Sequence, residues 1–257
     1  MLQRIAVVSD VHGVLPALDA VLREPDVTGA DLVVVTGDIA AGPQPVEVLD
    51  RLAGLGDRVL LVRGNADRDL VTIARGGAPP DGTPPIDTWA ARRLGDHHVL
   101  ALDALPHPVV LPLEGVGEVL FCHGSPRDDN EVVLVDTRLS RWSEVLAGVP
   151  RSVRMVVGGH THMPFARLVD RRWVVNSGSI GMPYGSTGLP WALLTGTSVQ
   201  LRWTSVDTDV LADRVVAACS FPDIEEWVST YVRTPLSDTE AVEAFGPRDD
   251  RTRDWNE

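Results

Sequence analysis

The chain has 257 residues, is 44% hydrophobic and carries a formal net charge of −13, with a mean hydropathy of +0.04. That is enough apolar length to bury a core without disulfide staples, and the acidic balance argues against nonspecific binding to nucleic acid or anionic membranes, though not against a phosphorylated substrate. There is no run of about 18 apolar residues and no secretory leader pattern, and Cys122 and Cys219 lie far apart, so the expectation is a soluble protein of the reducing cytoplasm.

In chain order, RIAVVSD (4–10), DLVVVTGD (31–38) and RVLLVRGN (58–65) are short runs rich in Val, Ile and Leu, closed by Gly, Asp or Asn. This is the pattern of buried strands. LPALDAVLREP (15–25) and PVEVLDRLAGLG (45–56) between them have helical spacing. The order βαβαβ predicts parallel strands in a covered sheet. Residues 76–88, GGAPPDGTPPIDT, read as a loop, and WAARRLGDHHVLALDALP (89–106) as helical in parts. From about residue 108 the texture changes. PVVLPLEG, GEVLFCHG, RMVVGGH, ARLVDRRWVVNSG and WALLTGTSVQLRW predict a mixed sheet in the second half, with one helix near SRWSEVLAGV (140–149). After about residue 206 the chain predicts helices, ordered to about residue 245, and a frayed end over the last dozen residues, GPRDDRTRDWNE.

Polar residues stand at the ends of the strand candidates. Asp10 and His12 follow the first in SDVHG, Asp38 the second in TGD, and Asn65 the third in RGNAD. His123 follows in FCHGS, and His160 and His162 in GGHTH. In an open α/β sheet, ligands bind outside the carboxyl ends of the strands. Each residue alone has a plainer explanation. Asp10 fits a helix N-cap, Asp38 and Asn65 fit turns, His123 fits a hydrogen-bonded core histidine, and an H-x-H pair can simply share one strand face. As a set they differ: four of the seven histidines in the chain fall at these ends. His, Asp and Asn suit a borderline divalent ion such as Mn, Fe, Co, Ni or Zn. The absence of Cys from the set disfavours a structural zinc site.

The ordered set SDVHG, GDIAAGP, RGNADRD, CHGSPRDD and GGHTHMPF resembles the calcineurin-like metallophosphoesterase superfamily. HGSPRDD, GHTHMPF and VVNSGSIGMP are similar to its smaller bacterial and archaeal phosphodiesterase branch. The resemblance implies an α/β fold, a four-layer αββα sandwich with two mixed β-sheets. The resemblance runs over roughly residues 4–205, so the expected organisation is a metallophosphoesterase domain over 1–205, followed by the helical C-terminal extension with a frayed end over 206–257. It also implies two divalent transition-metal ions, with Mn first and Fe, Ni, Co or Zn as alternatives. Asp10, His12 and His162 would hold one ion, and Asn65, His123 and His160 the other. Asp38 would bridge them, with Asp38 and Asn65 as catalytic residues. The implied reaction is hydrolysis of a phosphodiester by a hydroxide shared between the ions, with no phosphoenzyme.

One position departs from the pattern. Many members of the superfamily carry a histidine directly after the asparagine, and here that residue is Ala66, which cannot move a proton. The same branch often lacks that histidine and favours diesters, which supports a phosphodiesterase. Arg68, Ser125 and Arg127 are the candidate substrate-binding residues, and Asp67 is expected to cap a loop. His97 and His98 read as surface residues, His107 as structural, and Cys122 as pointing to the core. The alternatives are a phosphoanhydride hydrolase acting on a dinucleoside polyphosphate, a phosphomonoester or phosphoprotein hydrolase, and a scaffold on a decayed phosphoesterase fold. The expected partner is a phosphorylated small molecule or nucleotide, with homo-oligomerisation open. The loop at 76–88, the segment 181–191 and the tail are where specificity would arise.

Overall fold

The computed structural model describes residues 1–185, 188–234 and 236–249. Strands β1 (Arg4–Val8), β2 (Leu32–Val35) and β3 (Val59–Leu61) run parallel, as the βαβαβ pattern predicts. Helices α1 (Leu15–Leu22), α2 (Pro25–Thr28) and α3 (Pro45–Ala53) connect them. Each opens with a proline in its first two positions, where the missing N–H costs no intrahelical bond. Then come α4 (Asn65–Ala74), α5 (Pro85–Ala91) and α6 (Asp96–Asp103). The loop expected to run to residue 88 therefore ends earlier. Pro85 sits at the start of α5 with φ already set for a helix, and Ile86 and Ala90 bury their side chains in the core.

A second sheet holds β4 (Val109–Leu113), β5 (Gly117–Phe121), β6 (Val153–Gly158), β7 (Phe165–Val169) and β8 (Arg172–Asn176) in the order β4-β5-β6-β8-β7. Helix α7 (Leu139–Val145) lies between β5 and β6 in sequence. Strands β5, β6 and β8 are parallel, and β4 and β7 flank them antiparallel. The hairpin β9 (Leu189–Thr195) and β10 (Val199–Thr204) does not join this sheet, contrary to expectation. It pairs with β1, giving the first sheet the order β10-β9-β1-β2-β3. The reason is burial. Residues 189–194 of β9 are all buried, as a strand covered on both faces must be, and the half-exposed β10 takes the edge.

Strand alternation sorts the side chains into layers. Ile5 and Val7 of β1, Ala192 and Leu194 of β9, Val119 and Phe121 of β5, and Met155 and Val157 of β6 meet between the two sheets. Ala6 and Val8 face the other way, into a core shared with α1, α3, α4 and the tail helices. Leu120, Cys122, Val156 and Val174 form the outer face of the second sheet, under Trp142 and Val145 of α7. The result is helix, sheet, sheet, helix, the predicted four layers. Cys122 points into the core as its strand position predicts.

The tail forms α8 (Thr208–Ala218), α9 (Ile224–Val228) with a π-type turn over Ser229–Arg233, and α10 (Asp238–Phe245). Leu211, Val215, Trp227 and Val228 enter the same core as the first sheet. The frayed end expected from residue 246 onward is corrected in part: Gly246–Arg248 form a 3-10 turn and Asp249 is buried, its carboxylate accepting from Thr137 Oγ1 at 2.7 Å. The remainder of that stretch, 250–257, lies outside the described residues. Among the described residues no helix is long and apolar enough to cross a membrane.

Candidate metal centre

Strands β1, β2 and β3 run parallel in the first sheet and β5 and β6 in the second, and the polar residues singled out in the sequence lie within four residues of their carboxyl ends. Five of these residues take left-handed backbone conformations: Asp10 (φ 52°), His12 (45°), Asp38 (52°), His160 (68°) and His162 (60°). Asp and His tolerate this region better than bulky or β-branched residues do. Such conformations cost on the order of 1–3 kcal/mol each and persist only where surrounding structure enforces them. The enforcement here is a lattice of main-chain bonds between loops. Asp10 N–H donates to Gly37 O and His12 N–H to Asp38 O, both at 3.0 Å. Gly159 N–H donates to His123 O at 3.0 Å and Ile180 N–H to Ser9 O at 3.1 Å, so the two sheets are tied together at the site.

Two clusters result, Asp10–His12–His162 and Asp38–His123–His160, each with its ligand atoms within 4.8 Å of one another. The clusters adjoin: His123 Nε2 lies 3.2 Å from Asp38 Oδ2 and 3.8 Å from Asp10 Oδ1. His162 Nε2 is 3.1 Å from Asp10 Oδ1, and His12 Nε2 is 3.8 Å from Asp38 Oδ2.

Three of the imidazoles are oriented from behind. Nδ1 faces a backbone carbonyl in His12 (Ala41 O, 3.1 Å), His123 (Thr36 O, 2.7 Å) and His162 (Met182 O, 2.9 Å). Nδ1 must donate to a carbonyl, so in the neutral ring Nε2 carries the lone pair. The Nε2 atoms of His12 and His162 then confront each other at 3.2 Å, an arrangement that calls for a cation or proton between them. Asn65 Oδ1 is buried with no hydrogen-bond partner, and with the rings neutral neither Asp10 Oδ1 nor His123 Nε2 has a matched one, since the ring nitrogens and carboxylate oxygens facing each other all carry lone pairs. Buried polar atoms are ordinarily paired. These orphaned atoms belong to the candidate ligands, and an imidazole, carboxylate and amide set fits first-row divalent ions.

The electrostatics agree. Burial lowers His160 to about 3, with the neighbouring His123 adding to the effect. Burial also lowers His12. His123 goes the other way: burial opposes its charge, but Asp38 and Asp10 outweigh it and raise it to about 10. Asp38 is held below the carboxylate range, since burial is overcome chiefly by the charge of His123. The carboxylates thus favour positive charge at His123, while burial disfavours it at His12 and His160.

Asn65 is the first residue of α4. Ala66 follows it and supplies only its N–H, which donates to Asp38 Oδ1 at 2.8 Å. Asp67 does more than cap a loop. It accepts from the N–H groups of Gly64, Asp38 and Ile39 at 2.9, 3.0 and 2.8 Å, joining the β2 and β3 ends. Arg68 pairs with Asp129 and Asp69. Ser125 Oγ donates to Glu131 Oε2 at 2.5 Å, and Arg127 forks onto Glu131 with Nε bonds of 2.9 and 3.1 Å. His97 is exposed, but His98 is not the surface residue expected. It is buried, with Nε2 3.1 Å from Asp50 Oδ1 and Nδ1 accepting from Gly95 N–H, because it closes the first turn of α6.

Some contributors were not singled out from sequence. Asn176 Nδ2 donates to Gly159 O at 2.6 Å and Thr161 Oγ1 at 3.0 Å, bracing the His160–His162 loop. Ser179 Oγ donates to Asp10 O at 2.8 Å. Both lie in VVNSGSIGMP, where a polar run closes an apolar strand, the same signal that marks the candidate ligands. Tyr184 stacks on His162 with centroids 4.8 Å apart. Arg248, near the chain's end, carries no local signal and yet reaches His160.

Residues 3–198 match the family model of the calcineurin-like phosphoesterase superfamily domain. A segment of 84 residues is 39% identical to the symmetrical bis(5'-nucleosyl)-tetraphosphatase of Enterobacter sp. (strain 638), covering 31% of this chain and 30% of that protein. The chain thus spans under a third of that curated relative. Its fold is shared with a metallophosphoesterase from Sphaerobacter thermophilus (TM-score 0.69, 23% identity, 90% of this chain and 98% of that one). It is shared also with a hypothetical protein from Pyrococcus horikoshii OT3 (TM-score 0.74, 21% identity, 91% and 99%). With three quarters of its length matched and the strand-end residues gathered at one centre, the chain belongs to the calcineurin-like phosphoesterase superfamily.

Proposed function

We propose that the protein is a two-metal hydrolase of phosphodiesters. The observation that carries this reading is the pair of adjoining clusters, Asp10–His12–His162 and Asp38–His123–His160. It is supported by the buried, unmatched Oδ1 of Asn65, the neighbour in sequence of Ala66, whose N–H donates to Asp38. Asp10, His12 and His162 would hold one divalent ion and Asn65, His123 and His160 the other, with Asp38 as a ligand for both. Mn is the first choice of metal. When bound, two such ions lower the pKa of a shared water and offset the charge that builds on the phosphate oxygens. The chain's own residues do the positioning. The Nδ1–carbonyl bonds of His12, His123 and His162 fix their rings, and Asp67 fixes the Asp38 backbone. Ala66 offers no side-chain proton for a leaving group, which disfavours substrates that need general-acid help.

A second reading keeps the site and changes the bond: hydrolysis of a phosphoanhydride in a dinucleoside polyphosphate. It is favoured by the 84-residue likeness to a protein named for that activity.

The test compares an activated phosphodiester with its monoester on metal-stripped protein resupplied with Mn²⁺, with Asp38→Asn as control. Diester turnover that disappears in the control supports the first reading. Equal monoester turnover, or turnover of a dinucleoside polyphosphate alone, transfers the assignment. Two tightly held metals without turnover of any of the three substrates overturn both.

A further inference from the structure

The C-terminal turn closes over the metal centre. Ala241 of α10 is fully buried beside Val132, Leu134, Met163 and Tyr184. Asp249 is anchored to Thr137. Between these two anchors, Arg248 Nη2 donates to Asn130 Oδ1 at 2.7 Å and to Asn130 O at 3.2 Å, and lies 3.4 Å from His160 Nε2. The ring of Phe245 supports it from one side, 5.7 Å from the guanidinium carbon and 6.2 Å from the His160 ring.

Arg248 differs in its surroundings from the other arginines near the centre. Arg63 and Arg68 share Asp129, and Arg127 and Arg141 share Glu131. The partners of Arg248 among the described residues are an amide oxygen, a carbonyl, a ring nitrogen and an aromatic face, with no carboxylate. A guanidinium held this close to a ligand of a divalent ion would be repelled by it. An anion seated between the two reverses the sign and gives the guanidinium a partner matched to its planar donors.

We infer that Arg248 binds a non-bridging oxygen of the substrate's phosphate group, so that the C-terminal turn completes the substrate site with the fixed positive charge that Ala66 does not supply. The inference rests on the phosphoesterase reading and identifies which residue outside the metal set grips the phosphate. It also makes the tail part of the site rather than an appendage.

The probe is inorganic phosphate, titrated calorimetrically into the full-length Mn²⁺-loaded protein, with metal content and melting temperature measured alongside. Arg248→Ala is expected to weaken phosphate binding about 10–100-fold, the equivalent of one charge-assisted hydrogen bond, with metal content unchanged. On an activated diester the same loss falls on kcat/KM. Arg248→Lys recovers part of the affinity. If Arg248→Ala loses metal or melts early, Arg248→Gln decides, because it removes the charge while keeping a donor for Asn130.

Phosphate affinity equal to wild type in a fully metallated Arg248→Ala or Arg248→Gln protein overturns the inference, as does a wild-type protein that does not bind phosphate. If wild-type protein hydrolyses nothing but binds phosphate through Arg248, the anion site stands and the esterase reading falls. If it hydrolyses diesters and the Arg248 variants match it in both measurements, the reverse holds.

Discussion

Asp67 holds Asp38 by its backbone: Oδ2 of Asp67 accepts the Asp38 N–H at 3.0 Å. The same carboxylate takes the N–H groups of Ile39 and Gly64, so one buried side chain sets the relation between the ends of β2 and β3. Burial and the Asp38 carboxylate push Asp67 up to about 7, against the pull of these N–H donors.

Asp67→Ala leaves three buried N–H groups unmatched and frees the backbone of Asp38. The expected outcome is a loss of Mn²⁺ affinity of about 10–100-fold, as for other groups that orient a metal ligand. Calorimetric titration of the stripped protein checks this, and wild-type affinity in the variant would remove Asp67 from that role.

Two glycines hold space for the Asp38 and Asp10 side chains. A Cβ on Gly64 would lie 2.2 Å from Asp38 Oδ1, and one on Gly159 would lie 2.3 Å from Asp10 Oδ2 and 1.9 Å from Ser9 Oγ. Both alanine variants are expected to lose stability by about 1–3 kcal/mol or more, the range for overpacking, and to lose metal. Gly148→Ala is the control, since nothing lies within 4 Å of its added carbon. Urea unfolding distinguishes them, and three equal midpoints would contradict the packing.

Glu131 governs an acid limb of stability. Burial opposes its ionisation, but bonds from Arg127 and Ser125 and the charges of Arg127 and Arg141 outweigh it and lower its pKa below the ordinary 4.5. A carboxyl lowered in the folded state stabilises fully above its unfolded value, and that contribution is lost as pH falls through the folded one. Glu131→Gln should therefore cost on the order of 1–3 kcal/mol near pH 7, with the gap to wild type narrowing below pH 4.5. Unfolding curves across pH test this; a gap that widens on acidification would reverse the assignment.

The tail helices share the core of the first sheet through Leu211, Val215, Trp227 and Val228. Their amides over 210–232 should exchange on the timescale of global unfolding, apart from fraying ends. Hydrogen exchange read by mass spectrometry decides it, and fast exchange throughout would mean the tail opens independently.

The candidate ligands stand out in the amino-acid sequence because their signal is local. An apolar run closed by Asp, Asn or His beside glycine marks a strand end, and Asp10, His12, Asp38, Asn65, His123, His160 and His162 all carry that mark. The parallel order of β1 to β3 was legible for the same reason, from helices of the right length between short runs. What tertiary structure alone decided depends on contacts between distant segments. The β9–β10 hairpin reads like its neighbours in sequence, yet burial on both faces drew it to β1. His98 looked like a surface histidine until Asp50 met it across 48 positions. Arg248 lies in a charged stretch with no periodicity, and only the burial of Ala241 and the anchoring of Asp249 bring it to His160, 88 positions away. Local patterns encode which residue types stand at a strand end; the free energy of burying remote apolar surface decides which of those ends, and which distant side chains, meet.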